Sequence, residues 1–279
     1  MRSPAPAAPP DALVEAIPAS SLPDAVRSYC RTIAAMAEVE FHRVRREPSV
    51  ILTRAAQPVL WLLVFGAAVS RVRGLGSRAV PYQAFIVPGV IAQSVLFIAI
   101  FSGLAIIWER DLGITQRLLV APVARSAIIV GKALGAGVRA VAQVCLVLAV
   151  VAAARIPLRW SVGGVLGALA AAVGGAMLFS SISMVIASAV RSREQFMGLG
   201  QLVTLPLFFA SNALYSISLM PAWLQVVARA NPLTYEVEVL RRLLLGLGPQ
   251  RLLLDVAILA GGTVLAVAVA SRTYPRRVM

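Results

Sequence analysis

Residues able to carry out chemistry are few in this chain, and none stands at a spacing typical of a catalytic or metal site. His42 is the only histidine, and the two cysteines, Cys30 and Cys145, lie far apart in the sequence. This pattern predicts neither a metal centre nor a disulfide framework. The pair Gly131-Lys132 lacks the flanking residues of a phosphate-binding loop. We therefore expect a protein that is not an enzyme and that binds no cofactor or metal itself.

Four polar residues inside apolar stretches are the other candidates for a specific role. Arg139 and Gln143 are one helical turn apart and face the same way on a helix. An arginine at the centre of a bilayer costs at least about 2.5–3.5 kcal/mol, so it usually faces other helices or reaches toward the interface. The pair predicts either an interhelical polar contact or contact with a molecule moving through the bundle. The same alternatives hold for Ser211 and Asn212.

The elements that hold these residues are expected to be membrane helices. Of the 279 residues, 59% are hydrophobic and 14% are charged, and the mean hydropathy is +0.84. A soluble domain has about 25% charged residues, so the composition excludes an ordinary soluble globule. The net charge of +14 would indicate nucleic-acid binding in a soluble protein. Here the basic residues lie between apolar blocks, which is typical of membrane topology, and no nucleic-acid partner is predicted.

The predicted fold class is all-α integral membrane, with six transmembrane helices that are each near the ~20 residues needed to cross a bilayer. The predicted spans are residues 50–70, 84–107, 130–153, 162–190, 198–219 and 252–271. Lysine and arginine are more frequent in the loops on the side of the N-terminus, which places both termini in the cytosol. We expect a multi-pass protein of the cell membrane, inner or plasma.

The segments before and after the spans have their own character. Residues 1–27 are rich in Pro, Ala and Ser and are predicted to form a flexible cytosolic tail. Residues 28–47 carry an apolar stripe at helical spacing, which predicts an amphipathic helix in the membrane interface. The transmembrane domain then covers 28–271, and 272–279 form a second cytosolic tail.

Two segments between spans mix charged and apolar residues. Residues 108–122 predict a short interfacial helix on the cytosolic side, ending before Pro122 and able to transmit a push from a cytosolic partner. Residues 220–250 predict a helical hairpin in the outer leaflet, interrupted at Asn231-Pro232.

Four groups of residues, taken in order and with their spacing, carry a resemblance to a known family. They are residues 57–66, residues 85–90 with Gln93-Ser94, residues 108–122 with Gly131-Lys132, and residues 231–235 with Arg241. Over about residues 28–270 the chain resembles the membrane subunit of an ABC-2 type exporter, a family that exports antibiotics, nodulation factors and cell-wall polysaccharides.

The resemblance implies a permease subunit with a partner-driven mechanism. It implies a second permease subunit, as a homodimer or a heterodimer with a sibling, and cytosolic ABC ATPase subunits that hold the ATP and magnesium. The loop that couples to the ATPase would contain Glu109, Arg110, Gly113, Arg117 and Pro122. The outer hairpin would contain Asn231, Pro232 and Tyr235. Membrane lipids are the remaining partners.

The expected cargo is an amphipathic or drug-like molecule, as in antibiotic resistance, and the alternative is a lipid-linked glycan or polysaccharide. Two other classes are weighed against an exporter. An ion-coupled carrier needs Asp or Glu inside the membrane, and we expect none in the six spans. A membrane-embedded acyltransferase needs a partnered histidine or acid, and His42 has no evident partner.

Overall fold

The computed structural model describes residues 22–69, 80–113, 124–190, 192–248 and 250–278, which form helices joined by short connections. In chain order these are α1 (Leu22–Arg46), α2 (Pro48–Val69), α3 (Tyr82–Asp111), α4 (Arg125–Ala153), α5 (Val162–Ala189), α6 (Arg193–Phe209), α7 (Ala222–Ala230), α8 (Pro232–Leu245) and α9 (Leu252–Val278). A 3-10 turn, Ile217–Leu219, precedes α7. Across these ranges the fold is all-helical, and the predicted class is confirmed at that level.

Five of the described helices are long and apolar enough to cross a membrane, namely α2, α3, α4, α5 and α9. The prediction of one continuous helix over 198–219 is wrong. α6 has 17 residues and ends at Phe209, and the chain then turns without helical structure through Tyr215. Local bonding explains the end of α6, because the Ser211 hydroxyl donates to the Phe208 carbonyl oxygen at 2.6 Å.

Two helix boundaries also differ from the prediction. α1 begins at Leu22, so residues 22–27 of the predicted tail are helical, while the rest of that tail lies outside the described residues. α3 continues to Asp111, so residues 108–111 are the last turn of a span and not the start of a separate interfacial helix. α2 contains a π-helical turn, Trp61–Phe65, just after Pro58, which lacks an amide donor.

The bundle is organised around α5, which packs against α3, α4, α8 and α9. α3 is the most enclosed of the membrane-length helices, whereas α2 and α9 are largely uncovered. A second, smaller apolar cluster joins the C-terminal parts of α3, α5 and α9 to the N-terminal part of α4. It contains Ile106, Ile129, Ala133, Met184 and Ala270. Each long helix therefore has at least one neighbour along its buried face.

Two contacts fix the direction of α6. Arg193, at the start of α6, binds Asp111 at the end of α3. Leu214, just beyond α6, accepts a hydrogen bond of 3.0 Å from the Tyr82 hydroxyl at the start of α3. Residues 193–214 therefore run beside the whole length of α3, although only the first part of that stretch is helical.

α8 runs antiparallel to α5 and is buried against it. A Cβ atom added at Gly167 would lie 3.1 Å from the Leu243 side chain, and one at Gly175 would lie 2.3 Å from the Glu236 carboxylate. These two glycines are about 12 Å apart along the helix axis. The predicted pair of helices around Asn231-Pro232 is present, and the second helix lies inside the bundle. Gly246 ends α8 in the left-handed conformation, with φ of +70°.

Candidate functional site

Three consecutive residues at the end of α3 each contact a different helix or its end. Glu109 forms an ion pair with Lys132 of α4. Arg110 donates to the backbone carbonyl oxygen of Val190, directly after α5, at 3.1 Å. Asp111 accepts from the Arg193 guanidinium of α6 at 2.7 Å. A displacement of this last turn would therefore act on three other helices together, and we call residues 109–111 the inner node.

The surroundings of the inner node limit its movement. The Arg193 guanidinium also lies over the Trp108 ring, 4.0 Å from its centroid. Gly113 has a φ of +69°, which favours glycine, and lies two residues after the end of α3. Arg117 and Pro122, the other predicted coupling residues, lie outside the described residues.

α1 packs closely against α4 because two residues of α4 at the point of contact are glycines, which have no side chain. A Cβ atom at Gly131 would lie 2.6 Å from the Met36 sulfur, and one at Gly135 would lie 2.7 Å from Cγ of Glu40. This close approach brings the Glu40 carboxylate to the Arg139 guanidinium, at 2.6 Å. The N-terminal helix is thus held to the third membrane-length helix by close packing and by charge.

Arg139 connects three helices. Its guanidinium binds Glu40 of α1 and also donates to the Ser102 hydroxyl of α3, at 3.1 Å. Gln143, one turn along α4, is buried, and its Oε1 has no hydrogen-bond partner among the described residues. Of the predicted pair, Arg139 therefore makes an interhelical contact, and both Arg139 and Gln143 line an open space.

That space consists of two adjoining cavities at the α1–α2–α3–α4 end of the bundle. The wider one, about 690 Å³, lies among those four helices, and the narrower one, about 60 Å³, lies among α2, α3 and α4. Arg54, Phe101 and Gln143 line both, so the cavities are contiguous. We call them together the inner cleft.

The segment after α6 makes a polar cluster with α8. The Asn212 amide donates to Glu238, whose carboxylate also pairs with Arg241 at 3.1 Å. Arg241 donates back to the Asn212 carbonyl oxygen at 2.7 Å and lies over the Phe85 ring. Asn212 is 1% exposed, so its contacts are with α8, and Ser211 bonds within its own chain segment.

This non-helical segment fits against α3 because residue 89 is a glycine. A Cβ atom at Gly89 would lie 2.2 Å from the Ala213 carbonyl oxygen. Non-helical backbone at membrane depth is tolerated where protein buries it, and residues 210–214 are all buried. The non-helical segment 210–214 is therefore held on one side by its contact with Gly89 of α3 and on the other by the cluster around Asn212.

The predicted hairpin residues form the start of α8. The Asn231 side chain accepts from the Leu233 amide and donates to the carbonyl oxygens of Leu207 and Ala210, at 2.6 and 3.1 Å. Pro232 occupies the first turn, where a missing amide proton costs nothing. The Tyr235 hydroxyl donates to the Arg229 carbonyl oxygen at 2.6 Å, which ties α8 to α7.

Several acidic residues were missed or misplaced by sequence reasoning. Asp255 falls inside the predicted span 252–271, is buried, and lies 3.4 Å from Arg242, so the expectation of spans free of acids is wrong. Glu236 is fully buried, and both its oxygens lack a partner among the described residues. Glu40, the ionic partner of Arg139, was not predicted, because the two residues are almost a hundred positions apart in the sequence. No group of three potential metal ligands occurs in the described ranges.

Comparison with known proteins shows a match to one family over most of the chain. The family model described as ABC-2 type transporter matches residues 31–245. A putative transport permease, ycf38 of Cyanophora paradoxa, is 30% identical over 208 residues, 72% of this chain and 70% of the relative.

Two other relatives carry names that mention a process. The daunorubicin resistance ABC transporter permease protein DrrB1 of Streptomyces coeruleorubidus is 26% identical, covering 71% of this chain and 70% of the relative. Nodulation protein J of Rhizobium leguminosarum bv. viciae is 27% identical, covering 82% and 88%. With the family match over most of its length and its membrane-length helices, this multi-pass membrane protein belongs to the ABC-2 type transporter family.

Proposed function

We propose that the chain is the membrane-spanning subunit of an ATP-driven exporter and crosses the membrane six times. Besides the five membrane-length helices, residues 193–214 make a further crossing, the fifth in chain order, because α6 rises about 26 Å and its buried continuation reaches the start of α3. An even number of crossings leaves both termini on one side. The basic residues near the N-terminus favour the cytosol for that side.

The contacts of the inner node support a role for it in coupling to the ATPase. Its residues, Glu109, Arg110 and Asp111, join the end of α3 to α4, α5 and α6, and this is the observation that carries the proposal. A cytosolic ATPase that binds ATP and magnesium and pushes on the following loop, with Gly113, Arg117 and Pro122, would move several helices through these contacts. α1, held to α4 by Arg139, is a second point of contact for that subunit.

The cargo we propose is an amphipathic or drug-like molecule, moved outward from the cytosol or the inner leaflet. The relative named for daunorubicin resistance favours this class. A lipid-linked glycan or polysaccharide is the second candidate, favoured by the polar amides of the inner cleft. A second permease subunit, identical or a sibling, would cover part of the exposed faces of α2 and α9, and membrane lipids would cover the rest.

The experiment is co-reconstitution with a cytosolic ABC ATP-binding subunit from the same organism. We expect the purified pair to hydrolyse ATP and to move a fluorescent amphiphile across proteoliposomes only when the ATP can be hydrolysed. Vesicles holding the permease alone are the control. Failure of the two subunits to associate, together with movement that ignores ATP, would overturn the proposal in favour of another class of carrier.

A further inference from the structure

The narrower cavity of the inner cleft has an unusual lining for a membrane protein. Its polar side chains include Arg54, Gln57, Gln93 and Gln143, and Arg54 is the one charged residue of that lining. Gln93 and Gln143 are 3% and 2% exposed, and the Oε1 atom of each has no hydrogen-bond partner among the described residues. Buried amide oxygens normally have a partner, so these two point to a polar group supplied by a ligand.

Most of the charged side chains around the inner cleft have an ionic partner. Glu40 binds both Arg43 and Arg139, and Glu109 binds Lys132. Arg54 has no carboxylate within ion-pair distance among the described residues, and its guanidinium lies 5.2 Å from the centroid of the Phe101 ring. An acidic ligand group would complete this site.

Glu47 is the acid that lines the wider cavity without an ionic partner among the described residues. It precedes Arg54 by seven residues, or about 10 Å along a helix. Its charge therefore lies at the mouth of the cleft, while that of Arg54 lies deeper.

The same groups are open to the side of the bundle. Arg54 and Gln57 are spaced three residues apart on α2, which puts them on one face, and both are exposed. Polar side chains on the outer face of a span are costly in lipid and mark functional paths. Beside them the wider cavity offers an apolar wall that includes Val50, Leu104 and Trp108. An amphiphile could thus place its polar head among the amides while its apolar part stays in lipid or against this wall.

We propose that the inner cleft binds an acidic, hydroxyl-bearing head group of an amphiphile from the cytosolic leaflet, and that this is the cargo class of the exporter. The inference rests on the proposed function and names its substrate. Arg54 pairs with the acidic group. Gln93 and Gln143 receive hydroxyl groups, which match amides because both can donate and accept. The narrower cavity, about 60 Å³, is suited to small polar groups such as a diol.

Brominated lipids in nanodiscs test the binding step without any ATPase. Trp108, which lines the cleft, is kept as the reporter, while Trp61, Trp160 and Trp223 are replaced by Phe. Three lipids with the same brominated chains are compared: phosphatidylglycerol, which is acidic with two hydroxyls, phosphatidylmethanol, which is acidic without them, and zwitterionic phosphatidylcholine. We expect half-maximal quenching at an about tenfold lower mole fraction of phosphatidylglycerol than of phosphatidylcholine, with phosphatidylmethanol between them.

Variants separate the two kinds of recognition. Arg54→Gln should remove the preference for acidic lipids. Gln143→Leu should remove the difference between the two acidic lipids and leave the preference for charge. Arg272→Gln, at an exposed arginine of α9 outside the cleft, should change neither. Equal quenching by all three lipids in the parent protein, or a charge preference that survives Arg54→Gln, would overturn the proposal.

A second measurement distinguishes cargo from a lipid that merely resides in the site. In vesicles that contain the ATPase, fluorescent phosphatidylglycerol should move to the outer leaflet with ATP, and Arg54→Gln should slow this about tenfold. Occupancy and stimulated ATP hydrolysis without lipid movement would assign the cleft to a resident lipid and overturn the cargo assignment. Absence of ATP hydrolysis would instead count against the exporter itself, and the quenching result would still stand on its own.

Discussion

The guanidinium of Arg139 lies 2.6 Å from the Glu40 carboxylate and joins an N-terminal helix to the third membrane-length helix of the bundle. Both side chains are mostly buried, with exposed fractions of 19% and 17%. An arginine that looked anomalous within an apolar sequence is thus neutralised by a residue almost a hundred positions away. The contact gives α1 a fixed place, from which a movement of α1 reaches α4 directly.

The stability of this contact can be tested against a matched arginine. Arg139→Leu should lower the free energy of unfolding by about 2 kcal/mol, because Glu40 and Ser102 lose a shielded partner. Arg43→Leu removes a partner of the same carboxylate, but Arg43 is 58% exposed, and the expected loss is below about 1 kcal/mol. Thermal unfolding in detergent compares the two. Equal losses of stability in the two variants would contradict the bridging role of Arg139. Arg139→Leu should also alter either assembly or substrate range.

The close approach at Gly89 predicts a large effect from one methyl group. Gly89→Ala should destabilise the protein by about 2 kcal/mol or more, because the added carbon would meet the Ala213 carbonyl oxygen, which is backbone and cannot turn away. Gly261→Ala in α9 meets nothing within 4 Å and should be neutral or stabilising by up to about 1 kcal/mol. Unfolding temperatures and expression yield are the measurements. A neutral Gly89→Ala would show that residues 210–214 do not pack against α3 in this way.

These two cases show what the sequence could and could not predict. Apolar length located all five membrane-length helices within a few residues at most ends, because burial in lipid demands that length. It failed over 198–219 as a continuous helix, because Gly89 and the cluster around Asn212 hold a non-helical segment there that hydropathy alone does not reveal. The partners of Arg139 were equally hidden, since a pairing across about a hundred residues depends on the packing of α1 against two glycines.

The inner node predicts a charge-reversal rescue. Glu109→Ala or Glu109→Lys should reduce ATP-dependent transport below about a tenth of the wild-type rate, with membrane insertion intact, because the pair with Lys132 is lost. Lys132→Glu alone should do the same. The double variant Glu109→Lys with Lys132→Glu should recover transport if the pair acts within the permease. Continued inactivity of the double variant would show that Glu109 itself contacts the ATPase, and transport at the wild-type rate by Glu109→Ala would remove it from coupling altogether.

Two acidic residues on α8 should respond in opposite directions to the same substitution. Glu236 is fully buried with no partner among the described residues, so Glu236→Met should raise the free energy of unfolding by about 1–2 kcal/mol. Glu238 binds Asn212 and Arg241, so Glu238→Met should lower it by about 2–3 kcal/mol. Chemical unfolding in mild detergent measures both. Destabilisation by Glu236→Met would show that its carboxyl has a partner that forms only in the assembled transporter or in the membrane.

Asn231 should contribute more to stability than an ordinary helix cap, because its side chain both caps α8 and binds the end of α6. Its side-chain oxygen caps α8 through the Leu233 amide, and its nitrogen donates to Leu207 and Ala210. Asn231→Ala should therefore cost about 2–3 kcal/mol, since a cap is lost and two buried carbonyl oxygens lose a donor. Ser161→Ala, at the cap of α5, removes only the bond to the Gly164 amide and should cost about 1 kcal/mol. Asn231→Asp discriminates further, because it keeps the cap but places a charge against those carbonyls. If Asn231→Asp unfolded at the same temperature as the wild type, the hydrogen bonds from Asn231 to the end of α6 would contribute nothing to stability.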